Sequence, residues 1–196
     1  MVDLQKVKEL NYAHHRSMSE TPKTPEIYAM DDTSFRYLLK DVPRNLPLVL
    51  ELGSAEGEQW KCLGEWGTRL VGIDLYEPFV TKSRSHGLAV YLGFIEDMSM
   101  FPDNHFDLVC SRHVMEHLGD VDRSIEEVKR ILKPDGWTAH VTPDMMIDEE
   151  LSHLNLFKAW EWGVRWAEHG FQILSLEKKS FHGGEVHLVA KPLVVA

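Results

Sequence analysis

The chain has 196 residues, 31 acidic side chains against 21 basic ones, and a formal net charge of −10. This length suits a single α/β core, and the excess of acids argues against a nucleic-acid-binding surface, which draws on clustered lysine and arginine. The N-terminus has no apolar signal stretch and no apolar run long enough to cross a membrane. The two cysteines, Cys62 and Cys110, suit reduced thiols better than a disulfide framework. We therefore expect a cytoplasmic domain without nucleic-acid or membrane partners.

Residues 1–45 differ in composition from the rest of the chain. They are mostly polar and contain the proline-bearing segment TPKTP at residues 21–25. Within them the pattern predicts two helices, Met1–Asn11 and Ser34–Asp41, the second of which ends before Pro43. We predict an N-terminal helical appendage at 1–45 and a main domain at 46–196.

The first core strand is predicted at Leu48–Leu52. It is short and rich in branched apolar residues, as expected for a parallel strand buried on both faces. Its first charge is Glu51, and a turn of small residues containing Gly53 and Gly57 follows directly. Glycine lets a ligand approach backbone N–H groups without a Cβ in the way. Ligands of open α/β sheets bind at the carboxyl ends of the strands, so a binding site is expected here.

A second apolar strand, Leu70–Asp74, ends in an acid about twenty residues further on. A carboxylate at that place can accept hydrogen bonds from both hydroxyls of a ribose. The G-x-G-x-x-G pattern of dinucleotide-binding folds is absent, and Glu56 and Glu58 beside the turn would repel a pyrophosphate. The pair of strands therefore indicates an adenosine-bearing ligand that is positively charged and has no phosphate.

The remaining elements continue the alternation of strand and helix. Further strands are predicted at Ala89–Leu92, Phe106–Ser111 and Trp137–Thr142. Helices are predicted at Asp122–Leu132, which KPDG at 133–136 would stop, and at Leu156–His169. The last two strands, Phe171–Lys179 and Glu185–Ala190, are predicted to form a closing hairpin. This order predicts a doubly wound, mostly parallel α/β sheet with an antiparallel C-terminal hairpin.

Four segments, in order, resemble the class I S-adenosylmethionine-dependent methyltransferases. The turn LELGSAEG at 50–57 is similar to the family's E/D-x-G-x-G-x-G. FPDNHFDLV at 101–109, SRHVMEHL at 111–118 and RILKPDGW at 130–137 are similar to its downstream motifs. The likeness covers roughly residues 48–141 and is nearest to small-molecule enzymes of the ubiquinone-biosynthesis type. It implies a seven-stranded Rossmann-like sheet, S-adenosyl-L-methionine as cofactor, and an N-terminal segment that acts as a lid, although the segment could equally just cover a sheet edge.

The resemblance also implies roles for residues at the cofactor site. Glu51 would hold the methionyl amino group and Asp74 the ribose. The other residues predicted to contact the cofactor are Gly53, Ser54, Ala55, Gly57, Leu75, Glu96, Asp97 and Ser111. Two positions depart from the family pattern: Ala55 stands where the middle glycine is usual, and Phe94 where relatives have an aspartate that bonds adenine. Either Glu96, Asp97 or backbone carbonyls would then contact the adenine.

Histidines are the candidate catalytic residues. Methyl transfer needs the cofactor and acceptor held in line, and for a hydroxyl acceptor a base is the usual addition. A histidine with an ordinary pKa of about 6.5 can take that proton. We predict this role for His113, His117 or His153, with a purely structural His117 as the alternative. The neighbouring Asn155 would cap a helix if the segment of His153 does not face the acceptor.

The spacing of His113, Glu116 and His117 also raises the question of a metal. It differs from H-E-x-x-H, because the acid adjoins the second histidine, and the sequence identifies no third ligand. Further donors would count only if the fold assembled them: Asp120, Asp122, Asp144, His153, His182 and His187. The sequence therefore predicts no bound metal.

These observations together predict methyl transfer from S-adenosylmethionine to a small-molecule acceptor, with oxygen preferred and nitrogen as the alternative. Arg112 would either bind an acidic group of the acceptor or pair with a nearby acid. A catalytically silent cofactor-binding subunit that acts on a partner protein is a second hypothesis, and an NAD-dependent oxidoreductase is a weaker third. The acceptor and the oligomeric state are beyond the sequence.

Overall fold

The computed structural model describes residues 9, 12, 13, 16, 33–144, 153–181 and 184–194. Within these ranges the chain forms a seven-stranded sheet of order β3-β2-β1-β4-β5-β7-β6. The strands are β1 (Leu46–Leu52), β2 (Gly67–Asp74), β3 (Val90–Leu92), β4 (Phe106–Arg112), β5 (Leu132–Pro143), β6 (Phe171–Lys179) and β7 (Glu185–Pro192). The helices are α1 (Thr33–Leu38), α2 (Trp60–Leu63), α3 (Glu77–Ser85), α4 (Val121–Ile131) and α5 (Ala159–Glu168).

The predicted sheet is confirmed. Strands β1 to β5 pair in parallel, whereas β7 lies antiparallel between β5 and β6. The order reverses between β1 and β4, and Leu52 pairs there with Ser111. Such a reversal opens a crevice at the carboxyl ends of the strands, where open α/β sheets bind ligands. The topology therefore places the ends of β1, β2 and β4 at one edge.

Alternate strand residues separate the core into two layers. On one face Leu48, Leu50 and Leu52 pack with α4 and α5, which bury Ile125 and Trp166. On the other face α1 and α2 cover side chains of β1, β4, β5 and β7. This two-sided burial explains the continuous apolar runs of the central strands. Each fully buried large apolar side chain contributes about 1.5–3 kcal/mol, so the central strands form a rigid base for the site.

Helix α1 belongs to this core. Its residues Phe35 and Leu38, with Leu39 and Val42 just after it, are almost fully buried against the sheet. The predicted helix Ser34–Asp41 is therefore present with shorter bounds. The predicted helix Met1–Asn11 lies outside the described residues except at Glu9, which is helical.

Several boundaries differ from the predicted ones by a few residues, and two of the differences have a cause visible in the structure. Strand β5 begins at Leu132 instead of Trp137, because the strand register jumps between Phe106 and Leu108 and the intervening segment is accommodated as an irregularity. Helix α5 begins at Ala159, where the backbone N–H of Lys158 donates to the Glu161 carboxylate at 2.6 Å. Residues 153–158 before it are in neither helix nor strand. Among the described residues, no helix is long and apolar enough to cross a membrane.

Candidate active site

The turn after β1 has the backbone that its small residues predict. Gly53, Ala55 and Gly57 all have positive φ, at 61°, 44° and 86°, and the Gly57 N–H donates to the Ser54 carbonyl at 2.8 Å. A Cβ on Gly53 would lie only 2.4 Å from Cγ2 of Val114. Glycine is therefore required at 53 for space as well as conformation. Alanine at 55 is accommodated, although left-handed backbone is unfavourable for it.

Two buried carboxylates flank this turn. Glu51 is 4% exposed and Asp74 5% exposed, and the Oε2 atom of Glu51 receives no hydrogen bond from the described residues. Burial raises the pKa of Glu51 well above its usual value, and the charges of Glu58 and Asp74 raise it further. Burial also raises the pKa of Asp74. A cationic ligand would relieve both effects, since a nearby opposite charge favours the ionised carboxylate.

Asp74 also holds the turn in place. Its Oδ2 atom accepts from the Ala55 N–H at 2.9 Å and its Oδ1 atom from the Tyr76 N–H at 2.8 Å. Each carboxylate oxygen has a second lone pair, so Asp74 keeps acceptor capacity for a ligand hydroxyl. Leu75, which follows it, is half-buried, and its carbonyl accepts from the Tyr12 hydroxyl at 3.2 Å.

Glu96 and Asp97, the two acids predicted near the adenine, differ in their partners and in their exposure. The Oε1 atom of Glu96 accepts from the Gly119 N–H at 3.0 Å, which ties the loop after β3 to the loop after β4. Asp97 is exposed, and its carboxylate accepts from the Ser99 N–H at 3.2 Å. Hydrogen bonds from Ser99 lower the pKa of Asp97. Glu96 therefore lies nearer the buried edge of the predicted site than Asp97.

Ser111 lies at the carboxyl end of β4 but is fully buried. Its hydroxyl pairs with Nδ1 of His140 at 2.7 Å, and Nε2 of His140 pairs with the Thr138 hydroxyl at 2.6 Å. Burial lowers the pKa of His140 to about 3, so its imidazole is neutral. The Ser111 hydroxyl is thus engaged by His140 inside the sheet. Its backbone is the part of the residue that is left to contact a ligand in the crevice.

His113 is held between two carboxylates. It has a positive φ of 52°, its Nε2 lies 2.9 Å from Glu185, and its Nδ1 lies 3.4 Å from Glu116. Burial lowers the pKa of His113, but the carboxylates outweigh burial and raise it to about 9. In this arrangement His113 is a cation near neutral pH with both ring nitrogens engaged. A cation cannot accept a proton, so the geometry does not favour the predicted base role of His113.

Glu185 is the centre of a buried cluster that sequence analysis missed. It is fully buried and accepts from His113, from Nε2 of His187 at 2.8 Å and from the Ser34 hydroxyl. Arg112 lies 3.8 Å away, which supports the expected ion pair of that residue. Although burial raises the pKa of Glu185, these hydrogen bonds lower it below its usual value. No motif marks Glu185, because only the pairing of β7 with β5 brings it to β4.

The other predicted histidines meet beside this cluster. The rings of His117 and His153 lie 4.6 Å apart, centroid to centroid, and the donor atoms of Glu116, His117 and His153 lie within 4.8 Å of one another. Asn155 is not the cap of α5, where the N-cap residue is Lys158. Its side-chain amide instead donates to the Leu118 carbonyl at 2.6 Å. His182, another donor considered from sequence, lies outside the described residues.

Part of the chain is similar in sequence to known methyltransferases. Residues 50–140 match the model of a methyltransferase domain. The chain is 29% identical over 118 residues to the uncharacterised methyltransferase YcgJ of Bacillus subtilis, covering 55% of this chain and 46% of that protein. It is 26% identical over 121 residues to the ubiquinone biosynthesis O-methyltransferase of Xylella fastidiosa, covering 59% and 49%. The chain thus spans about half the length of these relatives.

A further relative has a different name, the human mitochondrial arginine-hydroxylase NDUFAF5. The two proteins are 34% identical over 98 residues, which cover 49% of this chain and 28% of that protein. Among solved structures, a SAM dependent methyltransferase from Aquifex aeolicus matches with a TM-score of 0.66 at 18% identity, over 96% of this chain and 99% of that one. That match shows the fold. Residues 50–140, which include the glycine turn and the paired acids, match a methyltransferase domain, and the solved structures that share the fold include S-adenosylmethionine-dependent methyltransferases.

Proposed function

We propose that the chain transfers a methyl group from S-adenosylmethionine to an oxygen atom of a small-molecule acceptor. The observation that carries the proposal is the pair of buried acids, Glu51 and Asp74, on either side of the glycine turn. Burying two carboxylates is costly unless a ligand compensates them. A ligand with an ammonium group, a sulfonium and a ribose does so, whereas a pyrophosphate would be repelled.

The residues present fit this cofactor. The unpaired oxygen of Glu51 would receive the methionyl ammonium, and the remaining lone pairs of Asp74 would receive the ribose hydroxyls. The backbone of the turn would line the methionine portion, since Gly53 leaves no side chain there. Leu75, Glu96 and the neighbouring backbone would border the adenine. The cofactor supplies an activated methyl group when bound, so the chain has only to hold the two reactants in line.

The acceptor is proposed to lie against the loop after β4. Methyl transfer to a hydroxyl releases one proton as the acceptor oxygen gains the methyl group and the sulfonium becomes a neutral thioether. A histidine beside the acceptor can take up that proton. Both nitrogens of His113 face carboxylates, so we assign the base role to His117 or His153. The ubiquinone O-methyltransferase relative supports oxygen as the acceptor atom.

The N-terminal segment is proposed to act as a lid over the cofactor. Tyr12 donates its hydroxyl to the Leu75 carbonyl at 3.2 Å and packs edge-on against Tyr76 at 5.3 Å. Both contacts lie on the loop that directly follows Asp74. A segment that covers this loop would slow release of the bound nucleoside. Tyr12→Phe would then speed cofactor dissociation measured by stopped-flow fluorescence, and an unchanged rate would leave the segment as a plain cover of the sheet edge.

The experiment that tests the proposed function is calorimetric titration with S-adenosylmethionine, S-adenosylhomocysteine and NAD. The wild-type chain and Asp74→Ala are compared, with Asp135→Asn, an exposed acid elsewhere, as the matched control. We expect micromolar binding of the first two ligands to the wild type and the control, and weakened binding to Asp74→Ala. Binding of NAD alone would contradict the proposal.

A catalytically silent cofactor-binding subunit is the second candidate. The relative named as an arginine-hydroxylase shows that a protein with a similar segment can carry a name other than methyltransferase. The two candidates differ in turnover. Incubation of the chain and a metabolite extract with S-adenosylmethionine labelled in its methyl group would label an acceptor only if the chain is an active enzyme. Cofactor binding without any labelled product would favour the silent subunit.

A further inference from the structure

The cluster of Glu116, His117 and His153 is built from two distant segments of the chain. Donor atoms of the three side chains lie within 4.8 Å of one another, with Glu116 Oε1 4.0 Å from His117 Nε2. The sequence predicted no metal because no third ligand adjoined the His-Glu-His spacing. We propose that these three side chains form a binding site for a divalent transition-metal ion, and that this ion activates the methyl acceptor.

The first argument is the state of Glu116. Its side chain is fully buried, and neither carboxylate oxygen receives a hydrogen bond from the described residues. The nearest positive group is Nδ1 of His113, at 3.4 Å. The ion pair with His113 offsets part of the cost of burying this carboxylate, and a coordinated cation would offset more of it. Glu116 is therefore a carboxylate with acceptor capacity that the described part of the protein leaves unused.

The second argument is that the backbone holds the two segments together. The N–H groups of Leu154 and Asn155 donate to the Glu116 carbonyl at 2.7 and 2.9 Å. The side-chain amide of Asn155 adds a hydrogen bond of 2.6 Å to the Leu118 carbonyl. These bonds fix His153 beside the short 3-10 helix Met115–His117. The site is thus prearranged, which lowers the cost of ordering the ligands around an ion.

The donor set indicates which ion would bind. Two imidazoles and one carboxylate suit zinc and its first-row neighbours, whereas magnesium and calcium prefer oxygen ligands throughout. Catalytic zinc sites commonly use three protein ligands and keep a further position open. Zinc lies about 2.0–2.2 Å from such donors, so donors around it are roughly 3.5 Å apart. The observed spacing of up to 4.8 Å therefore has to close when an ion binds.

The place of the cluster gives the ion a role in the proposed methyl transfer, and this part of the inference rests on that proposed function. Val114, two residues before Glu116, packs against Gly53 of the cofactor turn. An ion in the cluster would therefore lie close to the cofactor. Its open position would bind the acceptor through a hydroxyl oxygen and make that oxygen easier to deprotonate. The imidazoles would then act as ligands in place of acting as the base.

Zinc binding tests the site without reference to activity. The chain is prepared without a histidine tag, stripped with a chelator and titrated with Zn²⁺ in a calorimeter, in the absence of cofactor. We expect one zinc ion per chain. The isosteric change Glu116→Gln and the changes His117→Asn and His153→Asn should each weaken binding by about tenfold or more. The control, His86→Ala, removes an exposed histidine far from the cluster in sequence and should bind zinc as the wild type does.

The outcomes separate this inference from the proposed function. Each variant is also titrated with S-adenosylmethionine, which shows that it is folded around an intact cofactor turn. Absence of zinc binding in the wild type, or equal binding in wild type and all three ligand variants, would overturn the metal site even when the cofactor binds normally. If the wild-type chain binds zinc but does not bind S-adenosylmethionine, the result supports the metal site and contradicts the proposed function. Titration with Co²⁺ gives a second readout, since its visible absorption should appear in the wild type and be lost in Glu116→Gln.

Discussion

The two ends of the crevice are built in different ways. At the end proposed for the cofactor, called the cofactor end, Glu51 and the turn Gly53–Gly57 are continuous in sequence, and Asp74 joins them through hydrogen bonds to the backbone. At the end proposed for the acceptor, called the acceptor end, Glu185 connects Ser34, His113 and His187, which are up to 153 residues apart. The first region depends on backbone shape and the second on buried charge. Substitutions at the two ends should therefore fail for different reasons.

The largest effect is expected from Glu185→Ala at the acceptor end. The change would remove the carboxylate that pairs with the buried Arg112 and with Nε2 of His113, and loss of one partner of a buried ion pair costs about 3–5 kcal/mol. Urea unfolding at neutral pH measures the loss. Glu177→Ala, which removes a carboxylate from a partly exposed cluster with Lys179, should cost much less. Equal losses in the two variants would show that the Glu185 cluster is no more than a surface network.

Gly53→Ala tests the backbone argument at the cofactor end. The new Cβ would meet Val114 at 2.4 Å on a backbone with a φ of 61°, so we expect a loss of about 2–3 kcal/mol in unfolding free energy. Gly87→Ala is the matched control, since Gly87 also has a positive φ but its Cβ would have no neighbour within 4 Å. That variant should lose only about 1 kcal/mol. The difference between the two melting curves isolates the contact with Val114.

Glu51→Gln tests charge at the cofactor end while keeping the side-chain shape. If Glu51 holds the methionyl ammonium, the affinity for S-adenosylmethionine should fall by about 10- to 100-fold, as expected for a charged hydrogen bond. Methylthioadenosine, which lacks the amino acid portion, should bind both proteins alike. Calorimetry with the two ligands decides the assignment. A parallel loss for both ligands would show instead that the variant has disturbed the whole turn.

The smallest effect is the pH dependence that His140, the partner of Ser111 on the neighbouring strand, causes between pH 6.5 and 5. Burial lowers its pKa to about 3, against about 6.5 in an unfolded chain. Above pH 6.5 it is neutral in both states and contributes no pH dependence. As the pH falls from 6.5 to 5, only the unfolded chain takes the proton, so stability falls by up to about 1.4 kcal/mol per pH unit.

A comparison of variants isolates this contribution. His140→Gln keeps polar atoms near Ser111 and Thr138 but cannot titrate, so its stability should fall less steeply than that of the wild type between pH 6.5 and 5. Denaturant unfolding at several pH values measures both slopes. Identical slopes would mean that other groups, and not His140, control the acid sensitivity of the fold in this range.

The sequence predicted the strands well where the pattern is local. Branched apolar runs that end in Glu51 and Asp74 identify β1 and β2, because a strand buried on both faces needs a continuous apolar run. The start of β5 was missed, since the register jump beside Phe106 depends on the neighbouring strand. The start of α5 was predicted three residues early, because the bond that fixes it, from the Lys158 N–H to Glu161, carries no apolar signal.

The candidate site, like the strands, was predictable where its residues are close together in sequence. The cofactor residues follow from a contiguous motif, and their roles stay predictions until a ligand is bound. The histidines were identified as a group, but their surroundings were not. Nothing in sequence distinguishes His113, held between two carboxylates, from His140, which is buried with two hydroxyls. Burial lowers the pKa of His140, whereas Glu116 and Glu185 raise the pKa of His113, and only the fold sets these two environments.

The sequence by itself determined the fold class, the likeness of residues 50–140 to a methyltransferase domain and the position of the glycine turn. These features depend on hydrophobic period, strand-ending acids and small turn residues, all of which lie within a few positions of one another. Only the tertiary structure decided which acids meet which histidines. Glu185 reaches His113 through the pairing of β7 with β5, and His153 reaches Glu116 through backbone hydrogen bonds between distant loops. Electrostatic contacts depend on distance in space, and the chain order of the residues leaves that distance open.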